Sequence, residues 1–517
     1  MKRVPWKLIA LIAGPLLAGI VLVVFPETAS PLPGRTAAVA VWMAVWWLTE
    51  VIPLAITSLL PLVLLPALGV MSSKAVAGSY TNDVIFLFIG GFIVALAMER
   101  WQLHKRVALV ILRTIGGGPS RTLLGFMVAT AGLSMWISNT ATTMMMVPIA
   151  GAVLSRFDNL LDEKSARRLA IGLMLGIAYS ASIGGMATLV GTPPNLVFTS
   201  LFTQAFPQGP EVSFAQWMIF ATPLSLSFLL IAWGLLAAMY TRGIRIPGGT
   251  ETGSTSKRVS LRADYAAELK ALGPMNSDER KVLTVFITLA ALWITRKPLG
   301  FGIVTIPGWS QLLPEPSYAG DGLPAIALSI LLFMLPSSVR GERIMNWDTA
   351  KRLPWGIVLL FGGGFALAAA INVSGLALWI GGQLAGLGKL SPAVMVGAIS
   401  TLMTFTTELT SNTATTQLVL PVLAAVAVAI GRNPLLLMIP ATLSASCAFM
   451  MPVATPPNAI VFGSGRIRII DMAKTGLLLN LIGVLLITAW LMLAGAGMFD
   501  GMNELPDWAD TKMIQGL

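Results

Sequence analysis

The chain carries the hexapeptide Ser138-Asn139-Thr140-Ala141-Thr142-Thr143 and repeats it as Ser411-Asn412-Thr413-Ala414-Thr415-Thr416, 273 residues later. These residue types suit ligation. They bring hydroxyls and a carboxamide, with no nucleophile–base pair. Ser, Asn and Thr are poor in helix interiors and good at N-caps and turns. Each run therefore turns the chain and starts a helix whose free N–H groups carry roughly half a positive charge and bind anions. The carbonyl end of the incoming helix, with Ser and Asn oxygens, suits a hard cation such as sodium.

A second pair of motifs stands downstream of each run. Thr192-Pro193-Pro194-Asn195 matches Thr455-Pro456-Pro457-Asn458, at an offset of 263. A Pro-Pro pair cannot sit inside a helix, because each ring lacks an N–H and clashes with the preceding turn. Thr192 and Thr455 fit as N-caps, with Pro193 and Pro456 as the first helical residues. Each motif thus predicts a helix that breaks midway and restarts with an anion-facing N-terminus. A third match pairs Leu87-Phe88 and Gly90-Gly91-Phe92 with Leu360-Phe361 and Gly363-Gly364-Phe365, again at offset 273. Three matches in one order make an internal repeat.

The elements that hold these motifs are apolar. About 13 residues, or ~20 Å of helix, precede the first tip, which reaches the interior of a bilayer without crossing it. Hydrophobic residues make up 56% of the chain and charged ones 11%, against about 25% charge in a soluble domain. The reading is an all-α polytopic membrane protein. It has about eleven transmembrane helices plus two re-entrant hairpins in an inverted-topology repeat. Its parts are an N-terminal span (1–35), a first repeat (36–240) and a cytoplasmic loop (241–280). A second repeat (281–498) and an acidic external tail (499–517) follow. The hairpins fall at 121–154 and 391–430, and the broken helices at 168–206 and 433–464. An odd number of crossings between the glycine-rich helices turns one copy upside down relative to the other.

The net charge of +11 is a matter of orientation. Seven of the 34 Lys and Arg (Arg35, Lys74, Arg296, Lys297, Lys389, Arg432, Lys512) fall on one side and 27 on the other. That is the positive-inside pattern, with the N-terminus cytoplasmic and the C-terminus external. No basic patch has the aromatic interleaving of a nucleic-acid binder. One cysteine, Cys447, and one histidine, His104, exclude a disulfide framework and a Cys/His zinc cluster. His104 reads as a membrane-surface residue and Cys447 as helix packing.

No Lys, Arg or His lies within 125–154, 171–206, 391–431 or 433–465. A dianion at these tips has no protein cation to pair with, and an unpaired buried charge is very costly. Bound metal cations would supply the missing charge, so sodium coupling follows as an expectation. Glu408 is the acid beside a tip, with Met135 at the equivalent position of the first copy. It either neutralises a cation or forms a structural contact.

At these residues the sequence resembles the divalent anion:sodium symporter family of sodium-coupled dicarboxylate, citrate and sulfate carriers. Both Ser-Asn-Thr runs match. So does the signature Ala445-Ser446 through Phe449, Pro452-Val453-Ala454, Asn458 and Ile460-Val461. The resemblance implies a homodimer whose transport domain moves against a scaffold as an elevator. It implies that Ser138, Asn139, Thr140, Ser411, Asn412 and Thr413 line the substrate, completed by Thr192, Pro193, Thr455 and Pro456. One sodium would sit with Ser134, Ser138, Asn139 and Gly191, and another with Thr407, Ser411, Asn412 and Ala454. Sodium ions are co-transported. The expected activity is sodium-driven uptake of a C4-dicarboxylate such as succinate across a bacterial-type inner membrane. A sodium-independent exchanger, a sulfate or tricarboxylate symporter and an anion channel are the rivals. An enzyme would need reactive groups that the apolar segments lack.

Overall fold

The computed structural model describes residues 6–26, 30–115, 117–158, 160–244, 261–301, 304–499, 501–502 and 504–509. Among them seven helices are long and apolar enough to cross a membrane: Trp6–Val24, Ser73–Arg100, Glu163–Gly185, Phe214–Thr241, Trp355–Val373, Asn412–Ala429 and Ile469–Gly495. Shorter apolar helices stand between them. The fold is all-helical apart from a short antiparallel ribbon, Leu299–Phe301 against Val304–Ile306.

Local chemistry sets the helix ends. Asn82 caps Asp83–Arg100 by accepting from Val84 N at 3.0 Å. Asp83 in its first turn and Arg100 in its last complement the helix dipole. Asn276 and Glu279 form a reciprocal capping box at the start of Ser277–Ile294. Proline accounts for one departure from the expected spans. The segment 53–70 is two pieces, Leu54–Thr57 and Leu60–Ala67, because Pro61 has no N–H to donate to Thr57 O and its ring crowds that turn.

Each half presents the same series: a glycine-rich helix, a helix running off it, a hairpin and a broken helix. In the first half these are Asp83–Arg100, Leu103–Ile115, Pro119–Ser134 with Asn139–Asp158, and Glu163–Gly185 with Pro193–Ala205. In the second they are Trp355–Val373, Leu376–Leu384, Pro392–Thr407 with Asn412–Ala429, and Leu435–Ser444 with Pro456–Gly463. Glu163–Gly185 is buried on all sides from Leu169 onward, as expected of a helix apolar all round. It packs against both arms of the first hairpin, against Phe214–Leu236 and against Pro456–Gly463 of the other half.

The glycines allow this closeness. A Cβ on Gly90 would lie 2.6 Å from the Ala325 carbonyl carbon, and one on Gly364 would lie 2.4 Å from Gln417 Cδ. Gly184 is tighter still, with Ala131 O and Cα at 2.3 and 2.5 Å from its would-be Cβ. Backbone cannot step aside as a side chain can. Gly184→Ala is therefore expected to lift the hairpin off the broken helix at a cost of about 1–3 kcal/mol. A lowered melting temperature together with lost activity would show it, and an unchanged melt would refute the contact.

The structure adds detail at three surface segments. The polar segment 243–278 contains a helix, Leu261–Ala271, packed against Leu103–Ile115. Residues 245–260 of the expected cytoplasmic loop lie outside the described ones. His104 is half-buried with Nδ1 3.0 Å from Met98 O. Its neighbour Arg106 is buried and pairs with Glu279 at 3.0 Å while donating to Gly273 O. Of the expected external tail, Trp508 packs on Phe202 and Phe206, and 510–517 lie outside the described residues.

Candidate functional site: two polar tips on two broken helices

The first hairpin turns at Met135–Ser138, between Pro119–Ser134 and Asn139–Asp158. Ser138 Oγ accepts from Ala141 N at 3.2 Å, so it caps the returning helix as its type predicts. Asn139 opens that helix, and its carboxamide sits among three oxygens. These are Ser134 Oγ at 2.5 Å, Ala181 O at 3.1 Å and Gly191 O at 3.3 Å. Hydrogen bonding alone favours the amide orientation in which Nδ2 donates to all three. With the amide turned over, Oδ1 joins them and four oxygens face one point. In that second arrangement Ser134 Oγ donates to Oδ1 at 2.5 Å, and the Ala181 and Gly191 carbonyls are left to another partner. A Cβ on Gly185 would meet Asn139 Oδ1 at 2.7 Å, which is why the chain here is bare.

The second tip repeats the pattern. Thr407 Oγ1 lies 2.5 Å from Asn412 Oδ1 and donates to Ala445 O at 3.1 Å. Ser411 caps Asn412–Ala429 through Ala414 N. Thr143 and Thr416 bond back to the Asn139 and Asn412 carbonyls at 2.8 and 2.7 Å. Each tip thus rests on the break of its own half.

Asn195 and Asn458 close the breaks. Asn195 Nδ2 donates to Gly185 O, Met186 O and Thr188 O, the last at 2.8 Å. Asn458 Nδ2 donates to Ala448 O and Met451 O, both at 3.0 Å. Each clasps the carbonyl ends that its helix leaves open. Pro193 and Pro456 are the first helical residues, as expected. Thr455 caps through Asn458 N at 3.3 Å, whereas Thr192 holds the cap position with no side-chain bond. Asn195 Oδ1, Asn458 Oδ1, Ser182 Oγ and Ser446 Oγ are buried without a hydrogen-bond partner, a repeat-related set of unused acceptors.

The halves also interlock. Pro456–Gly463 packs against Asn139–Asp158, and Pro193–Ala205 against Asn412–Ala429. Arg466, just past the first pair, bonds Asp158 at 3.0 Å, so those two helices leave the site in one direction. Leu201 and Pro421 line one small cavity in the second pair, each roughly 12–14 Å of helix from Pro193 and from Asn412.

Of the first expected cation set, Ser134, Asn139 and Gly191 are together, joined by Ala181 O. Of the second, Thr407 and Asn412 are together, joined by Ala445 O. Ser138 and Ser411 cap their helices, and Ala454 N bonds Met451 O at 3.2 Å. Thr140 and Thr413 are the second residues of the returning helices. Sequence reasoning missed Ala181 and Ala445, which contribute carbonyls and so leave no side-chain trace. Ser180-Ala181-Ser182 and Ser444-Ala445-Ser446 did offer a repeat signal, at offset 264.

The surroundings of Glu408 are polar and built from backbone. Its Oε1 accepts from Phe449 N, Met450 N and Asn480 Nδ2 at 2.7, 2.8 and 2.7 Å, and Oε2 accepts from Met451 N at 3.0 Å. The carboxylate binds the backbone of the break. In the first half Thr188 has this task, bonding Met135 O and accepting from Gly191 N.

A family model described as the sodium:sulfate symporter transmembrane region matches residues 2–497. The chain belongs to the sodium:sulfate symporter family. Two relatives carry the name sodium-dependent dicarboxylate transporter SdcS. The one from Staphylococcus saprophyticus is 43% identical, over 93% of this chain and 90% of its own length. The one from Staphylococcus aureus is 44% identical with the same coverage. Two solved structures share the fold with this symporter-family chain. Alcanivorax borkumensis YdaH gives a TM-score of 0.51 at 15% identity, over 83% of this chain and 88% of its own. Neisseria gonorrhoeae MtrF gives 0.54 at 12%, over 96% and 97%.

Proposed function

We propose that this chain couples sodium influx to uptake of a divalent organic anion, a C4-dicarboxylate such as succinate. The observation that carries the reading is the paired seat. Each tip sets an Asn carboxamide and a hydroxyl against carbonyls of its own break, and no Lys, Arg or His lies in those segments. Oxygen donors hold the cations, and helix N-termini at Asn139, Pro193, Asn412 and Pro456 face the anion. Bound sodium supplies the charge that partial dipoles leave unmet. Ser134, Asn139, Gly191 and Ala181 O form one cation seat; Thr407, Asn412 and Ala445 O form the other. Ser138, Thr140, Thr192, Ser411, Thr413 and Thr455 contribute the polar lining toward the solute.

The SdcS names support dicarboxylate as the cargo. Two inverted halves that share one site suit alternating access, and family resemblance favours an elevator stroke within a homodimer. The charge count orients the N-terminus to the cytoplasm and the C-terminus outside.

The test is uptake of radiolabelled succinate into proteoliposomes, with and without an inward sodium gradient. Unlabelled malate, citrate and sulfate serve as competitors. Sodium-dependent accumulation blocked by malate is expected. Full uptake in sodium-free buffer without a proton gradient would instead favour exchange. Sulfate outcompeting succinate would move the cargo toward the solute in the family's description.

A further inference from the structure

We infer that the groove between the helices Ser277–Ile294 and Gly322–Met334 is a binding site for an anionic phospholipid of the leaflet facing the basic side of the protein. The groove measures about 660 Å³ and is lined by Met275, Ser277, Arg280, Lys281, Thr284, Val285, Leu331 and Leu335. Its polar and apolar parts are separated along its length. Ser277, Arg280, Lys281 and Thr284 follow helical spacing, so one face of the first helix presents two cations and two hydroxyls at its mouth. Val285, Leu331 and Leu335 supply the apolar part of the lining. Further along the same two helices Ile287 and Ile330 are each 56% exposed. An amphiphile matches that order, with a negative head at the mouth and an acyl chain along the flank.

One of the two charges is unpaired. Lys281 donates to Pro336 O at 2.6 Å, which fixes its ammonium beside the mouth, and it pairs with Asp278 Oδ1 at 3.4 Å. That acid is shared with the turn at 336–338. Asp278 is buried and accepts from Ser337 Oγ, Ser338 N and Ser338 Oγ. The Arg280 guanidinium is exposed and makes no hydrogen bond or ion pair among the described residues. A lone Arg beside a pinned Lys, above an apolar slot, matches a phosphodiester headgroup. A free phosphate would use the two cations and leave the apolar wall without a role. None of these residues touches the two tips, so the site stands whether or not the transport reading does.

The experiment is native mass spectrometry of full-length protein extracted from bilayers of phosphatidylcholine containing roughly a third phosphatidylglycerol. Retained phosphatidylglycerol is expected in preference to phosphatidylcholine. Arg280→Gln should weaken retention about fivefold and Arg280→Glu about thirtyfold, since each unit of charge at a membrane surface has that order of effect. Arg280 supports no contact, so these variants fold, and an unchanged melting temperature checks it. Leu331→Asn should weaken the lipid without altering binding of inorganic phosphate. The proposal is overturned if both lipids are retained equally, if Arg280→Glu changes nothing, or if inorganic phosphate displaces the lipid. Loss of selectivity on dissociating a dimer would assign the groove to a second copy instead and would equally overturn it.

Discussion

Asn139→Ala and Asn412→Ala each reduce sodium-driven uptake by at least about a hundredfold while the protein still inserts and folds. The expectation rests on what each carboxamide touches. Asn139 contacts Ser134 Oγ, Ala181 O and Gly191 O, and Asn412 contacts Thr407 Oγ1. Removing it strips one oxygen from a cation seat and leaves buried carbonyls unmatched. An unmatched buried polar group costs about 1–3 kcal/mol, and loss of a charge-assisted contact adds about 1.5–3. Together these come to about 2.5–6 kcal/mol, against the roughly 2.8 kcal/mol that corresponds to a hundredfold effect. Folding is spared because Ala is the best helix former and each position opens a helix. Uptake into proteoliposomes at saturating sodium, with melting temperature as control, is the measurement. Wild-type transport by either variant would remove that tip from the site.

Glu408→Gln has the second largest expected effect, a fall in uptake of about tenfold to a hundredfold. Four donors point at this carboxylate, three of them backbone N–H groups of one turn. Glutamine keeps the shape but offers one acceptor and one donor. Its NH2 must face at least one N–H, leaving it unsatisfied at a cost of about 1–3 kcal/mol. The break at 447–452 would shift, and with it Ala445 O, which Thr407 shares with Asn412. The readout separates two roles. A positioning residue raises the sodium concentration for half-saturation without altering the steepness of the sodium curve. A direct cation ligand lowers that steepness by one ion. Unchanged sodium dependence would show that the clasp does not bear on the seat.

Much of this protein was legible before any fold was known, because the bilayer admits few solutions. Backbone groups in hydrocarbon must be satisfied within the protein, so an apolar chain of this length is helical. Polar runs and Pro-Pro pairs inside apolar segments can only be turns or breaks, and finding each twice fixed their identity. The helix starts at Pro193 and Pro456 were placed to the residue, and those at Asn139 and Asn412 fall inside the expected turns. Less was legible where the chain leaves the apolar segments. The helix Leu261–Ala271 has no long hydrophobic stripe, and its neighbour Leu103–Ile115 completes it.

By itself the sequence determined the helical class, the repeat, the hairpins and the absence of Lys, Arg and His from the tip segments. Those follow from residue type and spacing, which act locally or through the solvent. Tertiary structure alone decided the rest: that Ala181 and Ala445 offer carbonyls to the tips, and that Asn195 and Asn458 clasp the breaks. It also decided that Glu408 binds backbone. A carbonyl has no letter in a sequence, and a carboxylate's partner is whatever segment folds against it. Those contacts join residues 41 to 72 positions apart in the Glu408 clasp, where no periodicity reaches.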